Sequence, residues 1–398
     1  MTALVKHNSL FPRVCSPEQT IDLCLSKKSL IPITRVTNLT PLDRIGIPVW
    51  SCATPKALDL TTHLGKGLSH PAAKASALME AIERATAERH VGGFHITADD
   101  AINAGLCDLE MYSSMFYPKY SVSTHLSCSW SQGRELVADQ NVYLPSDYVR
   151  SPPQDGLLQQ VDTNGLASGN SLNEALLHAL SEVIERDVVS QHSFVECYLP
   201  DKQSGLHKLR INCDTLPRVV GDLIEDIRSA NLCLVVEFLL NDMDLPVFEA
   251  KLIDFDYPTR DGVNPRCFVG YGLAPNAELS AIRAITEAAQ SRLAVIQGAR
   301  DTINKFPSSN QLQSWCRAIT AQPLHSFAFL PSYDNKTISA DCELLIHCLK
   351  EINISRILMF DITDEKIGIP VVRIRVPELS RFVVDRRDLN WRCLRYAL

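Results

Sequence analysis

No two of the thirteen cysteines stand in a Cys-x-x-Cys spacing, which excludes a zinc ribbon and a thioredoxin-type redox motif. No GxxxxGK[ST] loop occurs. Gly65-Lys66-Gly67 is too short for one, and Gly165-Leu-Ala-Ser-Gly-Asn170 gives only slender support for a phosphate-cradling turn. The opening residues from Met1 to Val14 lack the roughly seven consecutive apolar residues of a signal peptide, and no later run approaches the roughly eighteen of a membrane span. These absences predict a cytoplasmic protein without a membrane partner, whose cysteines are free thiols buried as small apolar residues. Basic stripes are missing too: 39 Lys and Arg are scattered against 46 Asp and Glu, for a net charge of −7. Nucleic acid is therefore not an expected partner, because phosphate-backbone affinity rests on clustered cations.

What the chain does have is bulk. Its 398 residues, 45% hydrophobic and 21% charged, have the composition of a folded protein of two or three domains or one large α/β unit.

Three segments align with one another: residues 65–84, 165–186 and 270–292. Each reads as a glycine turn followed by an Ala-rich helical pattern carrying Glu-x-x-Glu or Glu-x-x-Gln. The paired positions are Glu80 and Glu83, Glu182 and Glu185, and Glu287 and Gln290. A second element recurs out of phase with the first: Arg44-Ile-Gly-Ile-Pro48-Val, Met243-Asp-Leu-Pro246-Val and Lys366-Ile-Gly-Ile-Pro370-Val. These are turn-then-strand signals, since proline is tolerated where a strand begins. The spacing of about 100 residues exceeds solenoid periods and predicts repeated α/β subdomains closing around a shared site. Further strands are expected at 232–239, 249–255, 354–361 and 381–384, and helices at 217–230 and 312–321. The expected class is α/β or α+β, with sheets flanked by helices. Residues 1–40 carry no repeat element and read as an extension to one domain over 41–398. The stretch 304–310 reads as a surface connection.

On a helical wheel, Ser76, Glu80 and Glu83 fall on one side of the first helix, opposite Ala75, Leu78, Ile82 and Ala85. In the second helix Glu174, His178, Glu182 and Glu185 form the polar stripe against Leu177, Leu180 and Ile184. Arg283, Glu287 and Gln290 share a stripe on the third. Any one of these faces is explained by solvation. Three copies at one spacing point to a shared site, where carboxylates from several helices repel unless cations neutralise them. Oxygen-rich ligation of that kind predicts Mg²⁺ shared with substrate phosphates.

Four blocks, in order, resemble the YcaO family over about Val36 to Pro377. They are Gly65-Lys-Gly with Ser76-x-x-x-Glu80-x-x-Glu83-Arg84, then Asn164-Gly-Leu-Ala-Ser-Gly with Glu182-x-x-Glu185-Arg186-Asp187. Thr286-Glu-Ala-Ala-Gln-Ser-Arg292 and Gly368-Ile-Pro-Val-Val-Arg373 complete the set. The resemblance implies an ATP- and Mg²⁺-dependent enzyme acting on amide carbonyls. A nucleophile adds to the amide carbon, the resulting oxyanion takes the γ-phosphoryl group, and phosphate leaves with the former carbonyl oxygen. Side-chain nucleophiles give azolines; an external sulfide equivalent gives a thioamide. Carried over, the nucleotide-binding positions are Ser76, Glu80, Glu83, Asn170, Glu174, Glu182, Glu185, Arg186, Arg283, Glu287 and Gln290. Glu80, Glu83, Glu182 and Glu185 are the expected metal ligands. Arg292 belongs to the motif but points away in an ideal helix.

Ring-forming members commonly end in a PxPxP tail, whereas this chain ends Trp391-Arg-Cys-Leu-Arg-Tyr-Ala-Leu398. Its Asp43-Arg-Ile-Gly-Ile-Pro-Val segment is similar to members that work beside TfuA-type partners and make thioamides. Thioamidation is the resulting expectation, on a peptide or on a small lactam such as a nucleobase. Azoline formation and an accessory role in sulfur transfer are the alternatives. No separate leader-peptide-binding domain is evident before Pro41, so a peptide substrate would need a partner. That partner would be a TfuA-like or sulfur-delivery protein, and a homodimer is compatible with general frequency. Cys107, Cys128 and Cys197 are nominal sulfur carriers, and His178 a proton carrier or hydrogen-bonding group.

Overall fold

The structure, a computed structural model, describes residues 6, 10–115, 124–199, 205–259, 262–263, 265–298 and 323–398. In chain order it opens with α1 (Pro17–Ser26), β1 (Arg35–Asn38), β2 (Val49–Ala53), β3 (Thr62–Lys66) and α2 (His70–Arg89). Then come β4 (Phe94–Thr97), α3 (Ala98–Asn103), α4 (Leu109–Met115), β5 (Ser127–Glu135), β6 (Gln140–Pro145), β7 (Leu166–Ser168) and α5 (Leu172–Tyr198). The next stretch holds β8 (Lys208–Arg210), α6 (Arg218–Ser229), β9 (Cys233–Leu239), β10 (Val247–Asp254), β11 (Pro258–Thr259), β12 (Gly262–Val263), β13 (Arg266–Leu273) and α7 (Ala277–Gln297). The chain closes with α8 (Ile338–Glu351), β14 (Leu358–Asp361), β15 (Val371–Arg375) and α9 (Trp391–Leu394).

Three antiparallel sheets result, plus the β11–β12 hairpin. Their orders are β1-β2-β3, β13-β10-β9-β8 and β4-β5-β14-β15-β7, with β6 pairing β5. The expected mixture of sheets flanked by helices is present.

Proline sets the start of three strands. Pro48, Pro246 and Pro370 each stand immediately before β2, β10 and β15, where the missing N–H costs no ladder bond. Each of these strands pairs with one that lies at the edge of its sheet: β3, β13 and β7 respectively. The helix that follows each edge strand is α2, α7 or α5. Two units, β2-β3-α2 and β10-β13-α7, therefore run in sequence order. In the third, β7 and α5 receive their proline-led strand from the end of the chain. That is why the two sequence elements recur out of phase.

Gly165 stands in the expected turn, with φ +75°, but the glycines of the other two repeats are strand residues. Gly65 lies in β3 and Gly270 in β13. A Cβ at Gly65 would stand 2.1 Å from the Ala77 nitrogen, and one at Gly270 would stand 2.2 Å from that of Ala288. Here glycine serves close approach: each strand lies directly on the backbone of the Ala-rich helix that follows it. The three helices start on side-chain caps. Ser69 accepts from Ala72 N, Ser171 from Glu174 N and Asn276 from Leu279 N, and Gly298 in the left-handed region ends α7.

One core cluster joins α5 and α8 to β15. A second packs α6 and α7 on β9, β10 and β13. The expected strand at 381–384 is instead a turn, closed by Val384 N donating to Arg381 O at 2.8 Å. The expected strand at 354–361 is limited to β14. Residues 304–310 and 312–321 lie outside the described residues. Among the described residues no helix is long and apolar enough to cross a membrane.

Candidate active site

An edge strand leaves a row of backbone N–H and C=O groups without ladder partners. At the edges of β3, β7 and β13, side chains from α2 and α7 meet such groups. Glu80 Oε2 accepts Leu64 N at 3.1 Å, Glu83 Oε2 accepts Ser168 N at 3.0 Å, and Glu287 Oε1 accepts Tyr271 N at 3.4 Å. Gln290 Nε2 donates to Leu64 O at 2.8 Å. Glu80 and Glu287 thus serve the strand of their own unit, while Glu83 and Gln290 reach the strand of a neighbouring unit.

Between these edges lies a cavity of about 360 Å³, lined by Leu64, Glu80, Glu83, Arg84, Thr163, Leu166, Glu182, Arg186, Glu287, Gln290, Ser291 and Ala294. Burial pushes the Glu83 carboxyl up to about 8, with Glu80 and Glu182 adding to the push and Arg84 and the Ser168 N–H opposing it. Burial also raises Glu182, against the pull of Arg186, Arg373 and Arg84. Glu287 behaves differently: burial works against its charge, yet Lys66, ion-paired to it, and Arg186 hold it below the usual carboxylate range.

The cavity gathers Glu80, Glu83, Glu182, Arg186, Glu287 and Gln290 from the expected set. The other five stand outside its lining. Ser76 is exposed one turn before Glu80. Glu174 is buried, with Oε1 accepting from Arg13 Nη1 at 2.8 Å and Asn170 Nδ2 at 3.1 Å; Asn170 Oδ1 accepts from Thr20 Oγ1 at 3.1 Å. Glu174 is thus engaged with the segment leading into α1, and Asn170 with α1 itself. Glu185 is buried, and its carboxyl is pushed to about 7 by that burial and by Glu287. Arg283 is disfavoured as a cation by burial, although Glu185 supports it.

Arg84, Thr163 and Ser291 were not in the expected set. Arg84 had a signal, since it stands four residues after Glu80 on the same helix. It reaches Glu80 at 3.8 Å and Asp59 at 3.2 Å. Thr163 had none, because it precedes β7 in an irregular stretch that only the fold brings to the cavity. Arg292 is buried between Asp43 and Asp254, each at 2.9 Å, and so ties the domain together.

Burial, then Arg283, Arg13 and Lys66, hold His178 well below the usual histidine range, so the ring is neutral at pH 7. Burial pushes the Cys107 and Cys128 thiols to about 12, with help from Asp108 and Asp155 respectively. Neither is a thiolate at neutral pH. Cys197 is exposed near the end of α5.

The donor set fits a divalent cation that prefers oxygen. Among the described residues no three of His, Cys, Asp and Glu close into a cage of their own. Mg²⁺ does not require one, since it is commonly held by one or two carboxylates together with phosphate oxygens and waters. Glu80 and Glu182 add to the proton affinity of Glu83, which is the state that a bound cation relieves. Arg84 and Arg186 bring guanidinium groups, suited to phosphate, to the same cavity.

An uncharacterized protein of Methanothermobacter thermautotrophicus is 33% identical over 94% of this chain and 97% of its own. An uncharacterized protein from the tfuA 3′ region of Rhizobium leguminosarum bv. trifolii is 29% identical, over 92% of this chain and 88% of its own. The structure of YcaO from Methanopyrus kandleri bound with AMPPCP and Mg²⁺ superposes with a TM-score of 0.72 at 22% identity, covering 98% of each chain. That likeness establishes the fold. The family profile described as YcaO cyclodehydratase, ATP- and Mg²⁺-binding, matches residues 64–380, and with that match over most of its length the chain belongs to the YcaO family.

Proposed function

We propose that the protein activates an amide oxygen by phosphorylation from ATP and replaces it with sulfur. The observation that carries the activation step is the convergence of Glu80, Glu83 and Glu182 with Arg84 and Arg186 on one cavity. In this reading Glu80, Glu83 and Glu182 hold Mg²⁺, which when bound neutralises phosphate charge and orients the transferred group. Arg84 and Arg186 hold phosphate oxygens. Gln290 and Glu287 fix the β3 and β13 edges, so the wall does not shift as charge changes. Glu185 acts one layer behind through Glu287, and Ser76, Asn170, Glu174 and Arg283 belong to the nucleotide's surroundings beyond the cavity. We also read 41–398 as the catalytic domain and 1–40 as an extension that lends it the edge strand β1.

Support for sulfur comes from the Asp43-Arg-Ile-Gly-Ile-Pro-Val segment and from the relative in the tfuA region. A TfuA-like or sulfur-delivery protein is the partner this reading calls for, and a homodimer is compatible with it. Azoline formation on a peptide is the second reading, favoured by the family's description as cyclodehydratases. Incubation with ATP, Mg²⁺, sulfide and candidate amides separates the two by mass: thioamidation exchanges oxygen for sulfur, whereas cyclisation loses water. Phosphate release with neither product would contradict both, and nucleotide binding without turnover on any substrate would favour an accessory role.

A further inference from the structure

The residues assigned to the nucleotide beyond the cavity all lie toward the helix N-termini. Ser76 precedes Glu80 in α2, Glu174 precedes Glu182 in α5, and Arg283 precedes Glu287 in α7. Arg13, paired to Glu174, acts on both His178 and Arg283, so the N-terminal halves of α5 and α7 face one another. A nucleotide body on that side directs its terminal phosphate to the C-terminal side, where Arg84 and Arg186 stand. In-line phosphoryl transfer brings the acceptor from the side opposite the leaving group, so the amide enters past the C-terminal end of α2. Glu88 stands there, one turn beyond Arg84, and two loops meet on it. Its Oε1 accepts Leu58 N at 2.9 Å and Asp59 N at 3.3 Å, and its carbonyl accepts Gln154 Nε2 at 2.8 Å. Each loop runs into the cavity wall. Asp59 pairs with Arg84 at 3.2 Å on the way to Leu64, and the Gln154 loop leads to Thr163.

The rim so made is firmly held. Buried Asp147 accepts the backbone N–H groups of Gln154 and Asp155 on Oδ1 and of Leu157 and Leu158 on Oδ2. Val91 stands between His90, bonded to Ser131 Oγ at 2.7 Å, and Gly93, whose N–H donates to Trp130 O at 2.8 Å. Yet Leu58 is 67% exposed and Val91 78%. The charged groups beside them are matched: Arg84 by Asp59 and Glu80, Arg89 by the Leu30 carbonyl and Asp364, and Glu88 by two N–H groups, while Lys56 stays solvated. A lone exposed apolar side chain is ordinary. Two of them on anchored backbone at the acceptor's entrance form a preorganised apolar surface. We propose that Leu58 and Val91 form an acceptor subsite, and that it takes an extended polypeptide whose aliphatic side chains flank the reacting amide. A small lactam carries no flanking side chains to bury there. The subsite rests on the reading that the cavity holds the nucleotide.

The test is fluorescence anisotropy of the full chain, with AMPPCP and Mg²⁺ present, using a short fluorescein-labelled Gly–Ser peptide with two central leucines and its leucine-free counterpart. Uracil is titrated separately by calorimetry. Wild type, Leu58→Ser and Val91→Ser are compared with Phe329→Ser, a control at an 89% exposed side chain between Phe327 and Leu330 on the α6–α7 core. AMPPCP affinity and thermal melting are followed for each. We expect the leucine peptide to bind wild type about tenfold more tightly than its counterpart, each rim variant to lose most of that preference, and the control to keep it. AMPPCP affinity should be the same in all four proteins. Leu58 and Val91 stand on separate loops, so either variant carries the test if the other fails to fold. No leucine preference in the wild type, a preference that survives both rim changes, or one that the control also abolishes overturns the subsite and leaves the nucleotide reading standing. Uracil binding without a leucine preference overturns it in favour of a small lactam. Absence of AMPPCP binding in the wild type overturns the nucleotide reading itself.

Discussion

Glu83 on α2 accepts the backbone N–H of Ser168 on β7 at 3.0 Å, although the two residues belong to different repeat units. The carboxylate does two jobs. One oxygen closes a sheet edge that would otherwise expose an unpaired donor, and the group faces the cavity shared by three units. A residue of the site is in this way also a clamp between units.

The clamp makes proton release measurable. Burial first, then neighbouring carboxylates, raises Glu83 to about 8 and Glu185 to about 7. Both are partly protonated at pH 7, and a bound cation favours the ionised form. Mg²⁺–nucleotide binding at pH 7 is therefore expected to release protons, and affinity should rise with pH up to about 8. Calorimetry in two buffers of different ionisation enthalpy gives the count; equal apparent enthalpies in both would contradict it.

Gly65→Ala and Gly270→Ala should each destabilise the fold severely. Their Cβ atoms would meet helix backbone nitrogens at 2.1 and 2.2 Å, which no rotamer relieves. A cost of about 3 kcal/mol or more is expected in denaturant unfolding. A loss below about 1 kcal/mol would mean that strand and helix are not in contact.

How much of this was open to sequence reasoning depends on the range of the interaction. The acidic stripes were, because helical spacing alone puts Glu80 beside Glu83 and Glu182 beside Glu185. The repeated proline elements marked the starts of β2, β10 and β15. Thr163 was hidden, because its place depends on β15 pairing β7 across some 200 residues of chain. Gly65 and Gly270 misled for a similar reason: a glycine needed for close packing looks like a glycine needed for a turn. The 381–384 run, β-branched and aromatic, reads as a strand, yet Arg381 is drawn to Asp162 and Asp388 and the backbone turns there.

Arg392 anchors the end of the chain to α5. It is fully buried and pairs with Asp187 at 2.6 Å and Asp242 at 2.8 Å. Arg392→Met leaves Asp187 buried and uncompensated, and should cost about 3–5 kcal/mol in chemical denaturation. Retention of wild-type stability would show that the ion pair contributes nothing.

Acid should loosen the four-stranded sheet. Although burial opposes its charge, Lys251 and Lys208 hold Glu249 down to about 2, below its ordinary 4.5. A depressed carboxyl stabilises the fold above its unfolded value, and that contribution fades as pH falls from about 4.5 through about 2. Glu249→Gln should therefore flatten the acid limb of a stability–pH curve; an unchanged limb would sink the assignment.

The central claim is that the repeated carboxylates hold Mg²⁺ for a nucleotide. It is tested most directly by calorimetric titration with AMPPCP, with and without Mg²⁺, on wild type and Glu83→Gln. The glutamine keeps an oxygen to accept the Ser168 N–H, so the variant should melt near the wild type. Mg²⁺-dependent binding is expected in the wild type, with a loss of about tenfold or more in the variant. Equal Mg²⁺-dependent affinity in both proteins would contradict it.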